Sequence, residues 1–182
     1  MLPRIVVAPR RTGALAPSSR VLASRLADAA FRGDPRIVVE IGAGSGAVTR
    51  ELERRAARTG ARFVAVELDA ALARRNGSAR VVQADAAWLP VRRADVVVSG
   101  IPFASLPKAK AEAILHEAAR VAPRIVLFQY TKRRFPLIGA HFPVASAPLS
   151  RVRWNLPPAL VLDARVGGER SAEAEASAIG LA

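Results

Sequence analysis

An apolar run, Ile37-Val38-Val39-Glu40-Ile41, passes directly into Gly42-Ala43-Gly44-Ser45-Gly46, and helix-forming residues follow over about 47–57. No other feature constrains the fold as much. A short apolar run bounded by glycine reads as a buried strand. The glycines let the chain reverse sharply and bring bare backbone close to a ligand at a helix N-terminus. The pattern then recurs. Residues 63–66, 81–82, 96–98 and 125–130 read as four more strands, with helices predicted over about 70–75 and 108–121. A helix ahead of the first strand starts at Ser18 or Ser19 and runs to about Phe31, with Val21, Leu22 and Leu26 on its inner side. Strands alternating with helices predict a parallel sheet covered on both faces. After Tyr130 helical periodicity fades and prolines and β-formers dominate. Two late strands, about 144–154 and 159–166, are expected to pair antiparallel.

Charge and composition narrow the partners. Lys and Arg number 28 against 15 Asp and Glu, a formal charge of +13. Such a field draws polyanions, either nucleic acid or an anionic lipid surface. With 182 residues, 51% of them hydrophobic, the chain can enclose one domain core. No apolar run reaches the ~20 residues needed to cross a bilayer, and residues 1–11 are too short for a signal peptide. A cytoplasmic monomer is expected. The absence of cysteine excludes disulfides and thiolate chemistry. Two isolated histidines, His116 and His141, argue against a metal site.

Three acids stand at successive strand ends. Glu40, two residues before the first glycine, would repel a pyrophosphate and suits a cationic ligand such as the amino-acid end of S-adenosylmethionine. Glu67 ends the second strand, where a carboxylate accepts both ribose hydroxyls. NAD sites use the same position, and Gly42, Gly44 and Ala47 also satisfy the loose dinucleotide fingerprint. Asp85, in Gln83-Ala84-Asp85-Ala86 after the third strand, is placed to accept from an adenine amino group, with Ala84 or Ala86 adding a backbone contact. Each acid taken singly is as readily a solvated loop carboxylate. The ordered set, at the strand ends where open α/β sheets bind ligands, favours S-adenosylmethionine. Its expected contacts are Glu40, Gly42, Ala43, Gly44, Gly46, Glu67, Leu68, Asp85, Ala86 and Ser99.

Over residues 37–166 this arrangement resembles the class I S-adenosylmethionine-dependent methyltransferases. The resemblance implies a Rossmann-like α/β fold, a mostly parallel seven-stranded sheet with an antiparallel C-terminal hairpin, over residues 20–166. Several stretches resemble the soluble bacterial phospholipid N-methyltransferases: Thr12-Gly13-Ala14-Leu15-Ala16-Pro17-Ser18-Ser19, Ser99-Gly100-Ile101-Pro102 with Ser105-Leu106-Pro107, Phe128-Gln129-Tyr130-Thr131, and Asn155-Leu156-Pro157-Pro158-Ala159. That family implies methyl transfer to the amino head group of a membrane lipid, phosphatidylethanolamine or a lipid such as ornithine lipid, by an enzyme held at the inner face of the membrane. That family usually places a longer amphipathic helix ahead of the Thr-Gly-Ala segment, where this sequence has residues 1–11. Here residues 1–19 form a basic segment that can contact a membrane, and residues 167–182 are expected to form a flexible tail.

The acceptor side is read from the same resemblance. Methyltransferases acting on adenine or guanine amino groups carry Asn-x-Pro-aromatic at the fourth strand's end. In this chain Ile101, Pro102 and Phe103 fit, but Gly100 replaces the Asn. The rRNA adenine N6-methyltransferases are thus the more distant likeness, and RNA is the partner under that alternative. A non-catalytic basic binding module is a third reading. For lipid methylation, the backbone carbonyls of Ser99 and Gly100 would orient the amine, and Phe103 would hold the methylated ammonium by a cation–π contact. Tyr130 would bind the amine or relay its proton, and Lys132, Arg133 and Arg134 would meet a lipid phosphate, with Arg151 and Arg153 as further candidates. Ordinary packing for Phe103 and Tyr130, and a solvated charge run for the basic residues, remain the alternatives. His116 reads as structural; His141 is a weaker candidate for proton acceptor.

Overall fold

The computed structural model describes residues 20–153 and 158–167. The expectations for residues 1–19, for 154–157 and for the tail beyond Gly167 lie outside the described residues. The elements are α1 (Arg20–Ala30), β1 (Ile37–Ile41), α2 (Ala47–Thr59), β2 (Arg62–Glu67), α3 (Ala70–Asn76), β3 (Val81–Gln83), β4 (Val96–Ser99), a short 3-10 turn (Phe103–Ser105), α4 (Lys108–Val121), β5 (Arg124–Gln129), α5 (Phe135–His141), β6 (Val144–Val152) and β7 (Ala159–Arg165). One sheet holds all seven strands in the order β3-β2-β1-β4-β5-β7-β6. β1 to β5 pair in parallel, and β7 runs antiparallel between β5 and β6. The expected Rossmann-like sheet with its antiparallel late pair is what the chain forms.

Side chains alternate across the sheet. Val38, Val126 and Phe128 face a core shared with Leu22 and Leu26 of α1 and Leu52 of α2. Val39, Ile41, Val97, Ile125 and Leu127 face the other core, with Leu115 of α4 and Ile138 of α5. Two expectations need correcting. Val21 is exposed; the inner stripe of α1 is Leu22, Ala23, Leu26, Ala27 and Ala30. Helix α5 was not foreseen, because Pro136 and Gly139 read as breakers. Pro136 lies in its first turn, where a missing N–H costs nothing, and burial of Ile138 secures the helix.

An ion pair between β5 and β7 is built into the interior. Arg124, at the start of β5, donates from Nε and Nη2 to the two oxygens of Asp163 on β7, each at 2.8 Å. It also donates to Ala29 O (2.6 Å), Ala30 O (3.3 Å) and Arg32 O (2.7 Å). These carbonyls lie at and just beyond the end of α1, where helix carbonyls run out of intrahelical donors; Ala29 O also accepts from Arg32 N at 3.2 Å.

Candidate functional site

Strand order reverses between β1 and β4, which opens a crevice at their C-terminal ends. Two glycine turns meet there. Gly100 N donates to Ile41 O at 2.8 Å, and Gly100 lies so close to the other turn that a Cβ on it would sit 2.5 Å from Gly42 O. Gly42 has φ +72°, and a Cβ there would collide with Ile101 Cγ1. The two turns therefore pack backbone against backbone, with Ile101 sealing the contact.

The loop after β1 uses its amides internally. Gly42 N and Ala43 N both donate to Val66 O (2.9 and 3.1 Å), and Gly46 N to Ala43 O (3.0 Å). Gly44 N donates to Glu67 Oε2 at 2.7 Å. A pyrophosphate cradle needs such amides free to face the ligand, so the dinucleotide reading loses its main contact. Asn76, at the end of α3, straps the loop from below. Its Nδ2 donates to Gly44 O (3.2 Å), Ala43 O (3.4 Å) and Thr49 Oγ1 (3.0 Å).

The three acids have different surroundings. Glu40 is wholly enclosed on the face covered by α1 and α2; neither of its oxygens has a partner in full hydrogen-bond geometry, though the Thr49 hydroxyl is near enough to favour its charged form. Glu67 Oε1 accepts from Asp69 N at 3.0 Å, so each of its oxygens spends one lone pair on backbone and keeps another. Leu68 beside it is 59% exposed, an apolar platform at the strand tip. Asp85 accepts from Ala87 N (2.9 Å) and pairs with Lys110 of α4. Burial works to raise the Asp85 carboxyl, but the hydrogen bonds from Lys110 and Ala87 N and the Lys110 charge carry it below its ordinary value. Ala86 is buried.

On the acceptor side, Ser99 is enclosed and its Oγ accepts from Ile101 N at 3.1 Å. Pro102 O accepts from Ser105 N (2.9 Å) and Ser105 Oγ (2.8 Å). Phe103 is fully buried in the α4-side core. The expected cation–π contact therefore does not form in this arrangement, because the ring is spent on packing. Tyr130 is half-buried and packs edge-on against Phe128 with ring centroids 5.3 Å apart, on the same sheet face as Glu40. Lys132 and Arg133 are exposed, whereas Arg134 is turned inward. Its Nη2 donates to Leu106 O (2.8 Å) and its Nε to Phe103 O (3.4 Å). That corrects its expected role as a free phosphate ligand. His141 stacks edge-on with His116, 6.1 Å between centroids. It precedes Val144, which pairs through Arg165 to the β5 start. His141 thus sits at the end of the sheet opposite the crevice, and a role as proton acceptor is withdrawn.

Residues 38–123 match a family model described as a methyltransferase domain. The chain carries a methyltransferase domain over these residues. No curated protein matches the chain in sequence. Solved structures match in fold. A candidate RNA methyltransferase of Pyrococcus horikoshii is 20% identical, with a TM-score of 0.62, over 79% of this chain and 81% of its own. The 1,6-didemethyltoxoflavin-N1-methyltransferase of Burkholderia thailandensis, solved with S-adenosylhomocysteine, is 21% identical, TM-score 0.61, over 80% and 79%. Human N-acetylserotonin methyltransferase, solved with S-adenosylmethionine, is 12% identical, TM-score 0.58, over 81% and 52%.

The residues present fit that cofactor. An enclosed carboxylate without a partner in full hydrogen-bond geometry, the two lone pairs left on Glu67 and the bare backbone of Gly42 and Gly44 suit a cationic nucleoside. The methyltransferase also carries a pH signature in Glu40. Burial pushes its carboxyl up to about 8, against the Thr49 hydroxyl, which opposes the rise, and with the Glu67 charge, which adds to it. A raised carboxyl favours the folded state fully below its unfolded pKa near 4.5, and loses that contribution as pH climbs through about 8. Between about pH 5 and pH 8 the cofactor-free protein should lose up to ~1.4 kcal/mol per pH unit that Glu40→Gln does not lose. Denaturant melts across that window check this; parallel curves for the two proteins would refute it.

Proposed function

We propose that this methyltransferase acts on the amino head group of a membrane lipid, with phosphatidylethanolamine as the first acceptor to test. The observation that carries the reading is Gly100. Planar amino groups of bases are held by a side-chain amide at this position, and here no side chain fits, because a Cβ would lie 2.5 Å from a backbone carbonyl. A site built to hydrogen-bond a base amine is poor without that group. A flexible alkyl amine needs only orientation by backbone carbonyls and shielding from water. A charge of +13 and a Trp88 side chain 81% exposed beside the Asp85 turn suit an anionic interface, where indoles settle.

In this reading the cationic end of the cofactor favours the ionised form of Glu40 on binding, Glu67 would take the ribose hydroxyls and Leu68 would lie against the adenine. Bound there, S-adenosylmethionine supplies a sulfonium-activated methyl group. The lipid amine arrives as an ammonium and must shed a proton. Tyr130, beyond the β5 end, assists that loss, and the carbonyls of Ser99 and Gly100 orient the nitrogen. Lys132 and Arg133 meet the phosphate.

Radiolabelled S-adenosylmethionine given together with phosphatidylethanolamine–phosphatidylglycerol vesicles and rRNA tests the proposal. Label in lipid is the expected result. Label in RNA alone overturns it in favour of a base methyltransferase, and measurable cofactor binding with no label anywhere favours a binding module. Glu67→Ala should weaken S-adenosylhomocysteine binding by about 10- to 100-fold, the scale of losing hydrogen bonds to a charged acceptor. Unchanged affinity by calorimetry would remove Glu67 from the ribose site.

A further inference from the structure

The loop after β4, residues 100–106, is held by two side chains from the segment that leaves β5. Gln129 is wholly enclosed. Its Oε1 accepts from Ala104 N at 3.3 Å, and its Nε2 donates to Ile101 O at 3.4 Å and to Phe128 O. Five residues on, Arg134 donates to Leu106 O at 2.8 Å and to Phe103 O at 3.4 Å. Together they engage backbone on both sides of the Phe103–Ser105 turn. Gly100 N ties the start of the loop to Ile41 O of β1 at 2.8 Å; beyond it the loop's own bonds are local: Ser105 N to Pro102 O, Leu106 N to Phe103 O, Ile101 N to Ser99 Oγ. Those bonds shape the turn. Gln129 and Arg134 tie it to β5.

We propose that Gln129 and Arg134 are positioning residues, a two-point clasp that sets the acceptor loop against the cofactor site. The proposal rests on residues 99–103 forming the acceptor side. Each residue type matches its task. A primary amide alone offers a donor and an acceptor in one plane, so Gln129 can serve a carbonyl and an N–H at once. The guanidinium fork spans two carbonyls that a single ammonium cannot hold in the same geometry. Irregular backbone does not place a reacting group to within a fraction of an ångström by itself; supporting side chains do. Neither residue touches Glu40, Glu67 or Asp85 through any of these bonds, so the clasp acts on the acceptor half alone.

The test compares Gln129→Ala, Gln129→Glu, Arg134→Ala and Arg134→Lys with the parent. Hydrogen exchange at the Ala104 amide should quicken at least about tenfold in both alanine variants, while the peptide spanning residues 40–46 is unaffected. S-adenosylhomocysteine affinity by calorimetry should stay within about twofold. With phosphatidylethanolamine vesicles, kcat should fall about 10- to 100-fold in the alanine variants. Gln129→Glu, which keeps the acceptor for Ala104 N, and Arg134→Lys should recover part of both losses. Unchanged Ala104 exchange overturns the clasp. So does a kcat loss that tracks cofactor affinity and melting temperature together, the mark of general destabilisation. If the parent methylates no lipid, the lipid reading falls, and the exchange and affinity measurements still decide the clasp.

Discussion

Gly100→Ala is expected to remove at least about 99% of methyltransferase activity while leaving a folded but weakened protein. The added Cβ would lie 2.5 Å from Gly42 O, with Gly42 C at 3.5 Å and Ile41 O at 3.6 Å. All are backbone atoms, so no side chain can swing aside. Gly42 cannot retreat either. Its amide is tied to Val66 O, and Ile101 occupies the space beside its Cα. Relief must come from moving one loop away from the other, and in the proposed reading those loops are the cofactor and acceptor halves of the site. A displacement near 1 Å costs about 100-fold in rate. Overpacking of this kind costs about 1–3 kcal/mol, which lowers the melting temperature of a domain this size by about 3–10 °C. Gly139→Ala is the matched control. An added Cβ there meets nothing within 4 Å, and within helix α5 alanine should raise stability by about 0.5–1 kcal/mol. Wild-type turnover in Gly100→Ala would mean that the two turns do not touch as described.

The largest stability loss should come from Arg124→Ala. Its removal leaves the buried Asp163 carboxylate with only the more distant, largely exposed Arg32 guanidinium at 3.9 Å among the described residues, and takes a donor from Ala29 O, Ala30 O and Arg32 O. Breaking one side of a buried pair costs about 3–5 kcal/mol, a large share of the 5–15 kcal/mol that holds a typical domain together. Arg124→Lys should recover only part, because one ammonium cannot reach Asp163, Ala29 O and Arg32 O together. Combining Arg124→Met with Asp163→Leu should cost clearly less than Arg124→Ala alone, since no uncompensated charge stays behind. Urea melts of the four proteins decide the point. A loss below about 1 kcal/mol for Arg124→Ala would show that solvent reaches this pair.

The sheet was readable because its evidence is local. Short apolar runs closing on glycine, an acid or Ser99-Gly100 mark β1, β2 and β4, and Glu40, Glu67 and Asp85 fall near strand ends in an order that needs no long-range knowledge. Missing from that reading were groups whose meaning depends on distant backbone. Asn76 serves carbonyls more than thirty residues upstream. Arg134 looked like part of a solvated basic run with Lys132 and Arg133, and only its contacts with Phe103 O and Leu106 O set it apart. Phe103 fitted an aromatic motif, but burial against α4 decided its role. A polar residue closing the apolar strand at Gln129 was the one visible hint of the clasp. Gly100 could be noticed as a missing Asn, yet the cause, a carbonyl from another loop, is visible only in three dimensions.

The place of β7 has a bearing on how the chain is made. Among the described residues the latest strand in the chain, β7, is not an outer one; it slots between β5 and β6 and pairs with both. Until residue 165 has left the ribosome, β5 presents a bare row of backbone donors and acceptors, the kind of edge that recruits strands from other chains. Over the same interval Arg124 has no anion to meet. Helix α1 and strand β7 are thus secured in a single late event, and a nascent chain halted before Ala159 would be a sticky five-stranded sheet awaiting a chaperone.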